Sequence, residues 1–413
     1  MPEPALALLS LAELPAILIL LGLAAYITLA GADFGAPLWA LLARGEDAEE
    51  IGEHTHRAMG PVWEANHVWL IFVLVVAWTA YPEAFGSIAS TLAVPLLLAA
   101  IGIIIRGTSY VLRSVEDRPW ITVTFAASSV LTPFALGAAL GGIASGRVPV
   151  GNAQGDLITS WTGPTSILVG ALAVVFSLYL AAVFLAGDGA RAGSPRLAEA
   201  FRARGLATGS LAGALAIGGL FVLRSDAEPL WDGLTSGAGL AAVLASAAAG
   251  VATLGLLASR RFEPARYCAA LAVSAIVAGW GIAQSPELLP GLTIEQAAAG
   301  DPTLVALLVS IAAGMLILIP SLALLFGLLL GGRFDPGAAA PAGEGPPGAA
   351  EPVRRPAAAG PAAAACGSLG IALTLIFDGG VGLALGVVCL LGSVAAGFIL
   401  LAPAILEATA EED

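Results

Sequence analysis

The sequence contains no lysine: all 17 of its basic residues are arginine. Histidine, cysteine and methionine occur three times each in 413 residues, and charged residues make up only 11%. Each shortage excludes something. A formal net charge of −13 argues against a nucleic-acid partner. Cys268, Cys366 and Cys389 lie in or beside apolar runs without ligand-like spacing. They read as small core residues, with neither a disulfide framework nor a metal site implied. Haem iron takes an axial His, Met or Cys, so the chain is poorly supplied to hold several haems on its own. His54 and His56 stand in a charged stretch beside Glu50 and Glu53 and read as solvated. The missing lysine, with so much alanine and glycine, reads as genome composition rather than chemistry. Met1 to Leu11 lacks a basic n-region and the first apolar run is too long for an h-region, so no cleavable signal peptide is expected.

What is present is oil. The chain is 58% hydrophobic with a mean hydropathy of +0.92, the signature of a polytopic membrane protein. Apolar segments fall at about 14–43, 63–82, 84–112, 119–145, 160–186, 206–223, 234–258, 265–284 and 302–331. Each can provide a span of about 20 residues, which predicts nine transmembrane helices. With the N-terminus outside, fourteen arginines fall in inner loops and two, Arg147 and Arg224, in outer ones, while Arg106 lies within a helix. That asymmetry follows the positive-inside rule. Residues 332–363 are rich in Gly, Ala and Pro and read as a cytoplasmic linker. A further apolar segment, 364–402, is interrupted by Asp378-Gly379-Gly380. It is too long for one straight span. The preferred reading is a helix over about 380–402 preceded by a short interfacial or re-entrant piece, with a helical hairpin as the alternative. An acidic tail, 403–413, closes the chain. Pro95 and Pro320, mid-segment, predict kinks, and Pro82 a tight turn.

Ionisable groups inside membrane segments are costly and call for a purpose. Asp33 lies about 16 Å from the inner end of its helix at helical rise, and Glu64 and Arg106 about 10 Å in. Glu64 and His67, spaced i,i+3, share a helix face. One reading is a proton inlet through Asp33, Glu64 and His67. The other is a polar cluster in which Arg106 pairs with Glu64 or Asp33 and fixes helix packing. Gly31 and Gly35 form a small-xxx-small pair that lets two helices approach. Trp63, Trp69 and Trp78 could edge a quinone or lipid site, although interfacial anchoring is the commoner role.

Gly31-Ala32-Asp33-Phe34-Gly35, then Gly60-Pro61-Val62-Trp63-Glu64-Ala65-Asn66-His67-Val68-Trp69-Leu70, then Tyr81-Pro82-Glu83, then Arg106 to Arg113 resemble subunit II of the cytochrome bd-type quinol oxidases. The resemblance covers order and spacing over about 15–115, and the nine-helix count extends it to about 331. It implies an all-α fold of two four-helix bundles plus a peripheral helix, over residues 1–331. It also implies a heterodimer with a haem-carrying subunit I that holds haem b and haem d, this chain binding no haem through its own ligands. Quinol from the membrane pool would be the substrate of the complex, oxygen would be reduced to water, and the location would be a bacterial inner membrane. Asp33 and Glu64 match acids of the family's proton path, with His67 beside them and Trp63, Asn66, Trp69, Arg106, Gly31 and Gly35 in support. Three departures stand out. His67 replaces a usual Gln or Glu, Val111 stands where an acid often precedes the second arginine, and 332–413 lies outside the pattern. The rival readings are a stand-alone proton-coupled transporter, which would need internal pseudo-symmetry, and a purely structural assembly subunit.

Overall fold

The computed structural model describes residues 10–43, 48–113, 119–330 and scattered positions between 365 and 393. The linker 332–363 and the tail 403–413 lie outside the described residues. The chain separates into two compact units, 1–323 and 324–413.

In the first unit the elements run α1 (Glu13–Leu42), α2 (Ala48–Ala80), α3 (Pro82–Thr91), α4 (Ala93–Arg113), α5 (Pro119–Ala144), α6 (Pro164–Arg191), α7 (Pro195–Asp226), α8 (Glu228–Leu234), α9 (Gly237–Ala258) and α10 (Phe262–Gln284). A short antiparallel hairpin follows, β1 (Glu287–Leu289) and β2 (Leu292–Thr293), then α11 (Ile294–Ala297) and α12 (Asp301–Leu330), whose last residues, 324–330, belong to the second unit. Eight of these helices are long and apolar enough to cross a membrane, and α2 adds a shorter apolar stretch, Asn66–Ala80. The protein is a predominantly helical membrane protein. In lipid this is the expected solution, because a helix satisfies its own backbone polar groups. Hydroxyls follow the same economy: Thr55, Ser177 and Thr253 each donate to the carbonyl four residues back. Proline opens α3, α6 and α7 at a first-turn position where no amide is needed.

Helices α1, α2, α4 and α5 neighbour one another on one side, and α6, α7, α9 and α10 on the other, with α1 and α5 packed on α6 across the middle. The α1–α6 contact rests on glycine. A Cβ at Gly35 would lie 2.0 Å from the Ser177 carbonyl oxygen, and one at Gly31 would lie 2.6 Å from a Leu180 methyl. Helix α12 is buried at its base by Leu304, but much of the rest is exposed, as at Val309 and Leu316.

The structure departs from the hydropathy reading in four places. The segment expected at 84–112 is two helices, because α3 stops at Leu92 and α4 restarts at once. The loop between α5 and α6 stabilises the break: the amides of Gly151 and Ala153 donate to Ser87 and Ser90 on α3. Pro95 therefore sits in the first turn of α4, not at a mid-helix kink. Helix α7 begins at Pro195 rather than about 206, so Arg196, Arg202 and Arg204 stand on a helix instead of in a loop. Helix α2 begins at Ala48 rather than about 63, because its first turns carry an apolar face. Ile51, His54 and Thr55 on that face are buried. His54 is consequently not solvated: its Nε2 lies 3.2 Å from the Leu185 carbonyl and its ring tilts against Phe201.

In the second unit the described positions in 365–370 and 392–393 are helical. A Cβ at Gly367 would lie 2.7 Å from the Ser393 hydroxyl, and one at Gly392 would lie 3.9 Å from the Cys366 sulfur. Residues 367 and 393 therefore lie close together, as do 366 and 392.

The α5–α6 loop carries its own staple. Asp156 accepts from the Thr159 amide at 2.7 Å, the Ile158 amide at 2.9 Å and the Thr159 hydroxyl at 3.0 Å. These bonds, the Thr159 amide first, hold its carboxyl below the usual aspartate range. The sign follows directly. The contribution is fully present above the unfolded pKa and is lost as pH falls through the lower folded value. Asp156→Ala is expected to speed amide exchange at 156–161 at neutral pH, whereas at pH values below the folded pKa wild type and variant should exchange alike. Equal exchange at neutral pH would remove the staple from the loop's stability.

Candidate functional site

Within the first bundle the apolar packing opens around one guanidinium. Arg106 on α4 is fully buried, and Asp33 on α1 is 1% exposed. Arg106 presents a side-on fork: Nε donates to Asp33 Oδ2 at 3.2 Å and Nη2 to Oδ1 at 2.5 Å. Nη2 also donates to the Asp33 backbone carbonyl at 2.7 Å, and Nη1 to the Ser129 hydroxyl on α5 at 2.5 Å. Ser129 in turn donates to the Phe125 carbonyl. Asn66 of α2 is fully buried and donates from Nδ2 to Asp33 Oδ2 at 2.8 Å. Four of the five guanidinium N–H groups thus have acceptors. The rings of Phe34 and Phe125 lie 4.9 and 4.5 Å from the guanidinium carbon and complete its shell.

Local sequence explains the assembly. Asp33 sits between Gly31 and Gly35, the pair that lets α1 press on α6, so its backbone depth is set by a rigid contact. Arg106 follows a run of Ile103, Ile104 and Ile105 on an amphipathic helix and turns its charge away from lipid. Burying both charges costs several kcal/mol each, offset only by well-formed bonds of this kind. The cluster ties α1, α2, α4 and α5 together.

The structure brings together Asp33, Asn66 and Arg106, with Gly31 and Gly35 two residues to either side of Asp33 on the opposite, α6-facing side of α1. Trp69 packs half-buried on a core of Tyr26, Ala30 and Phe34, with its ring edge-on to Phe72. His67 is half-buried on α2 next to Asn66. Trp63 and Glu64 belong to α2 by backbone, and their side chains lie outside the described residues, as does that of Val111. Of the two acids that the sequence offers Arg106, Asp33 pairs with it, and the side chain of Glu64 lies outside the described residues. Ser129, Phe125 and Tyr26 escaped the sequence reading. The one available signal was Ser128-Ser129 inside the apolar run of α5.

Two polar atoms beside the cluster, Asn66 Oδ1 and the Tyr26 hydroxyl, are buried without a hydrogen-bond partner among the described residues. Buried polar atoms of this kind mark places where internal water binds. Chemically, the site offers a fixed carboxyl group, a free acceptor and a hydroxyl buried side by side. Among the described residues no group of three or more His, Cys, Asp or Glu side chains could hold a metal.

Comparison with known proteins extends beyond this cluster. The family model described as "Cytochrome bd terminal oxidase subunit II" matches residues 11–329. Two relatives come from Bacillus subtilis (strain 168). The "Putative cytochrome bd menaquinol oxidase subunit II" is 21% identical over 212 residues, covering 51% of this chain and 61% of the relative. The "Cytochrome bd ubiquinol oxidase subunit 2" is 28% identical over 134 residues, covering 31% of this chain and 38% of the relative. The match therefore spans less than two thirds of either relative. Among solved structures, a chain of the bd oxidase from Geobacillus thermodenitrificans is similar, with a TM-score of 0.63 and 27% identity over 78% of this chain and 99% of that one.

Proposed function

Because the chain belongs to the cytochrome bd terminal oxidase subunit II family, we propose that it is the non-haem subunit of a membrane quinol:oxygen oxidoreductase. It stabilises a haem-carrying subunit I and contributes a proton inlet for the reduction of oxygen to water in aerobic respiration. The observation that carries this reading is the structural likeness to a bd oxidase chain across 99% of that chain's length. Haems b and d, held by the partner, would supply electron transfer from quinol and the chemistry on oxygen. The distribution of arginines supports an N-terminus outside the bacterial inner membrane. Residues 1–331 form the subunit II-like part, with 364–402 as an added membrane segment.

In this mechanism the chain moves protons and no electrons. Glu64 and His67, near the middle of α2, take protons arriving from the cytoplasm. Asp33, at the level of Asn66, presents a carboxyl group oriented by Arg106 and Asn66. The buried Oδ1 of Asn66 and the Tyr26 hydroxyl give water a place to bridge the next step.

Asp33→Asn and Glu64→Gln in the purified complex are expected to slow oxygen consumption per haem about tenfold, or about 1.4 kcal/mol in barrier, with haem content and subunit ratio unchanged in Glu64→Gln and a lower yield of complex in Asp33→Asn, which leaves Arg106 buried without its carboxylate. Unchanged consumption in both variants would overturn the inlet. A second reading, a purely structural subunit, is favoured by one observation: the Asp33 carboxylate is saturated by Arg106 and Asn66. It predicts the opposite pattern, with Asp33→Asn losing assembly while the surviving complex turns over normally. A stand-alone proton-coupled transporter would purify with neither partner nor haem spectrum.

A further inference from the structure

The arginine-rich end of the second bundle carries more positive charge than its own acids neutralise. Arg191 at the end of α6 pairs with Asp188 and, at 3.1 Å, with Glu263. Arg266 on α10 shares the same two carboxylates, at 3.2 and 3.7 Å. Arg202 and Arg260 share Glu199. These four arginines share three carboxylates, those of Asp188, Glu199 and Glu263. Arg261, in the tight turn between α9 and α10, is exposed and has no ion pair among the described residues. Its neighbour Arg260 holds a left-handed backbone, φ 58°, so the turn sets the two guanidinium stems on one short, sharply bent loop.

Beside this turn lies a shallow, open depression of about 410 Å³ lined by Ala190, Arg191, Arg260, Arg261, Phe262 and Glu263 with Pro264. Three cationic side chains meet one acid there, against an apolar wall. From its mouth the i,i+4 series Glu263, Tyr267 and Leu271 runs down one face of α10, and Tyr267 and Leu271 are exposed along it. An apolar strip leading into the bilayer from a cationic mouth matches the shape of an amphiphile: a charged head above and a hydrocarbon chain below.

We propose that this depression binds a phosphate group through Arg261, Arg260 and Arg191, carried by an anionic membrane phospholipid or free in solution. The strip below the mouth accommodates the chain of the first source, and the arginines serve either. Arg261 is the principal contact because no carboxylate of the described protein competes for it.

The test uses the full chain with its co-purifying partner, delipidated in mild detergent. Binding of phosphatidylglycerol, phosphatidylcholine and inorganic phosphate is followed by native mass spectrometry and by competition. Wild type should bind phosphatidylglycerol over phosphatidylcholine. At about 1 kcal/mol per surface arginine, Arg261→Gln should bind about fivefold more weakly and R191Q/R261Q about thirtyfold more weakly. Arg224→Gln, at the opposite end of α7, should bind as wild type. Failure of inorganic phosphate to compete assigns the site to lipid, and full competition assigns it to a soluble phosphate. Equal affinity in wild type and R261Q, or binding of no phosphate probe, overturns the proposal. Should R191Q/R261Q fail to fold, R261Q decides by itself, since its side chain supports no ion pair.

Discussion

Arg106→Ala is expected to cost about 3–5 kcal/mol of stability, the usual penalty for stranding one charge of a buried pair. The loss would appear as a collapse in yield and a lower thermal midpoint of the detergent-solubilised chain. The size follows from what is left behind. Asp33 would keep its carboxylate at 1% exposure with only Asn66 donating to it, and Ser129 would lose its guanidinium. Two ring faces, of Phe34 and Phe125, would border an empty volume. The companion measurement separates charge from packing. Asp33→Leu with Arg106→Met removes both charges and keeps apolar bulk, and should recover most of the loss, because buried ion pairs are often replaceable by well-packed apolar residues. Should Arg106→Ala fall within about 1 kcal/mol of wild type, the pair would not be what holds α1, α4 and α5 in register.

Gly35→Ala is expected to be nearly as damaging, about 3 kcal/mol, at the upper end of ordinary overpacking. One methyl is enough because of what it meets. The new Cβ would lie 2.0 Å from the Ser177 carbonyl oxygen and 2.7 Å from the Ala181 methyl. A carbonyl in the middle of α6 cannot rotate away, so α1 and α6 must part by more than an ångström to reach ordinary contact at 3.4 Å. Asp33 moves with α1, which carries the defect into the fork with Arg106. Gly31→Ala meets only the flexible end of Leu180 and should cost much less. Thermal midpoints of the two variants in the same detergent test this directly. A Gly31→Ala loss equal to that of Gly35→Ala would contradict the backbone contact as the cause.

Much of the fold could be read from hydropathy, because each span must present a long apolar surface whatever it packs against. The boundaries that hydropathy missed are those set by tertiary contacts. The α3–α4 break depends on loop amides bonding Ser87 and Ser90, which lie more than 60 residues away in the chain. The early start of α2 depends on Ile51 and His54 finding α6 and α7, so a stretch that looks like a charged loop becomes a packed amphipathic helix. At the site, Asp33, Asn66 and Arg106 each stand out as polar residues in oily surroundings. Their pairing does not, since depth counting places Glu64 and Arg106 at similar levels and says nothing about which helix faces which. Ser129 and Phe125 are unremarkable until α5 is seen beside α4.

The order of the chain gives the buried cluster a temporal character. Asp33, Asn66, Arg106 and Ser129 are all made within the first third of the protein. As the chain leaves the ribosome, the partners of the carboxylate and the guanidinium arrive on the next helices to be synthesised, before α6 exists. Each charge therefore spends only a short interval in the bilayer without a counterpart, and the four helices can associate as an early folding unit. The glycine-mediated seat on α6 comes later and fastens a structure whose polar centre is already closed.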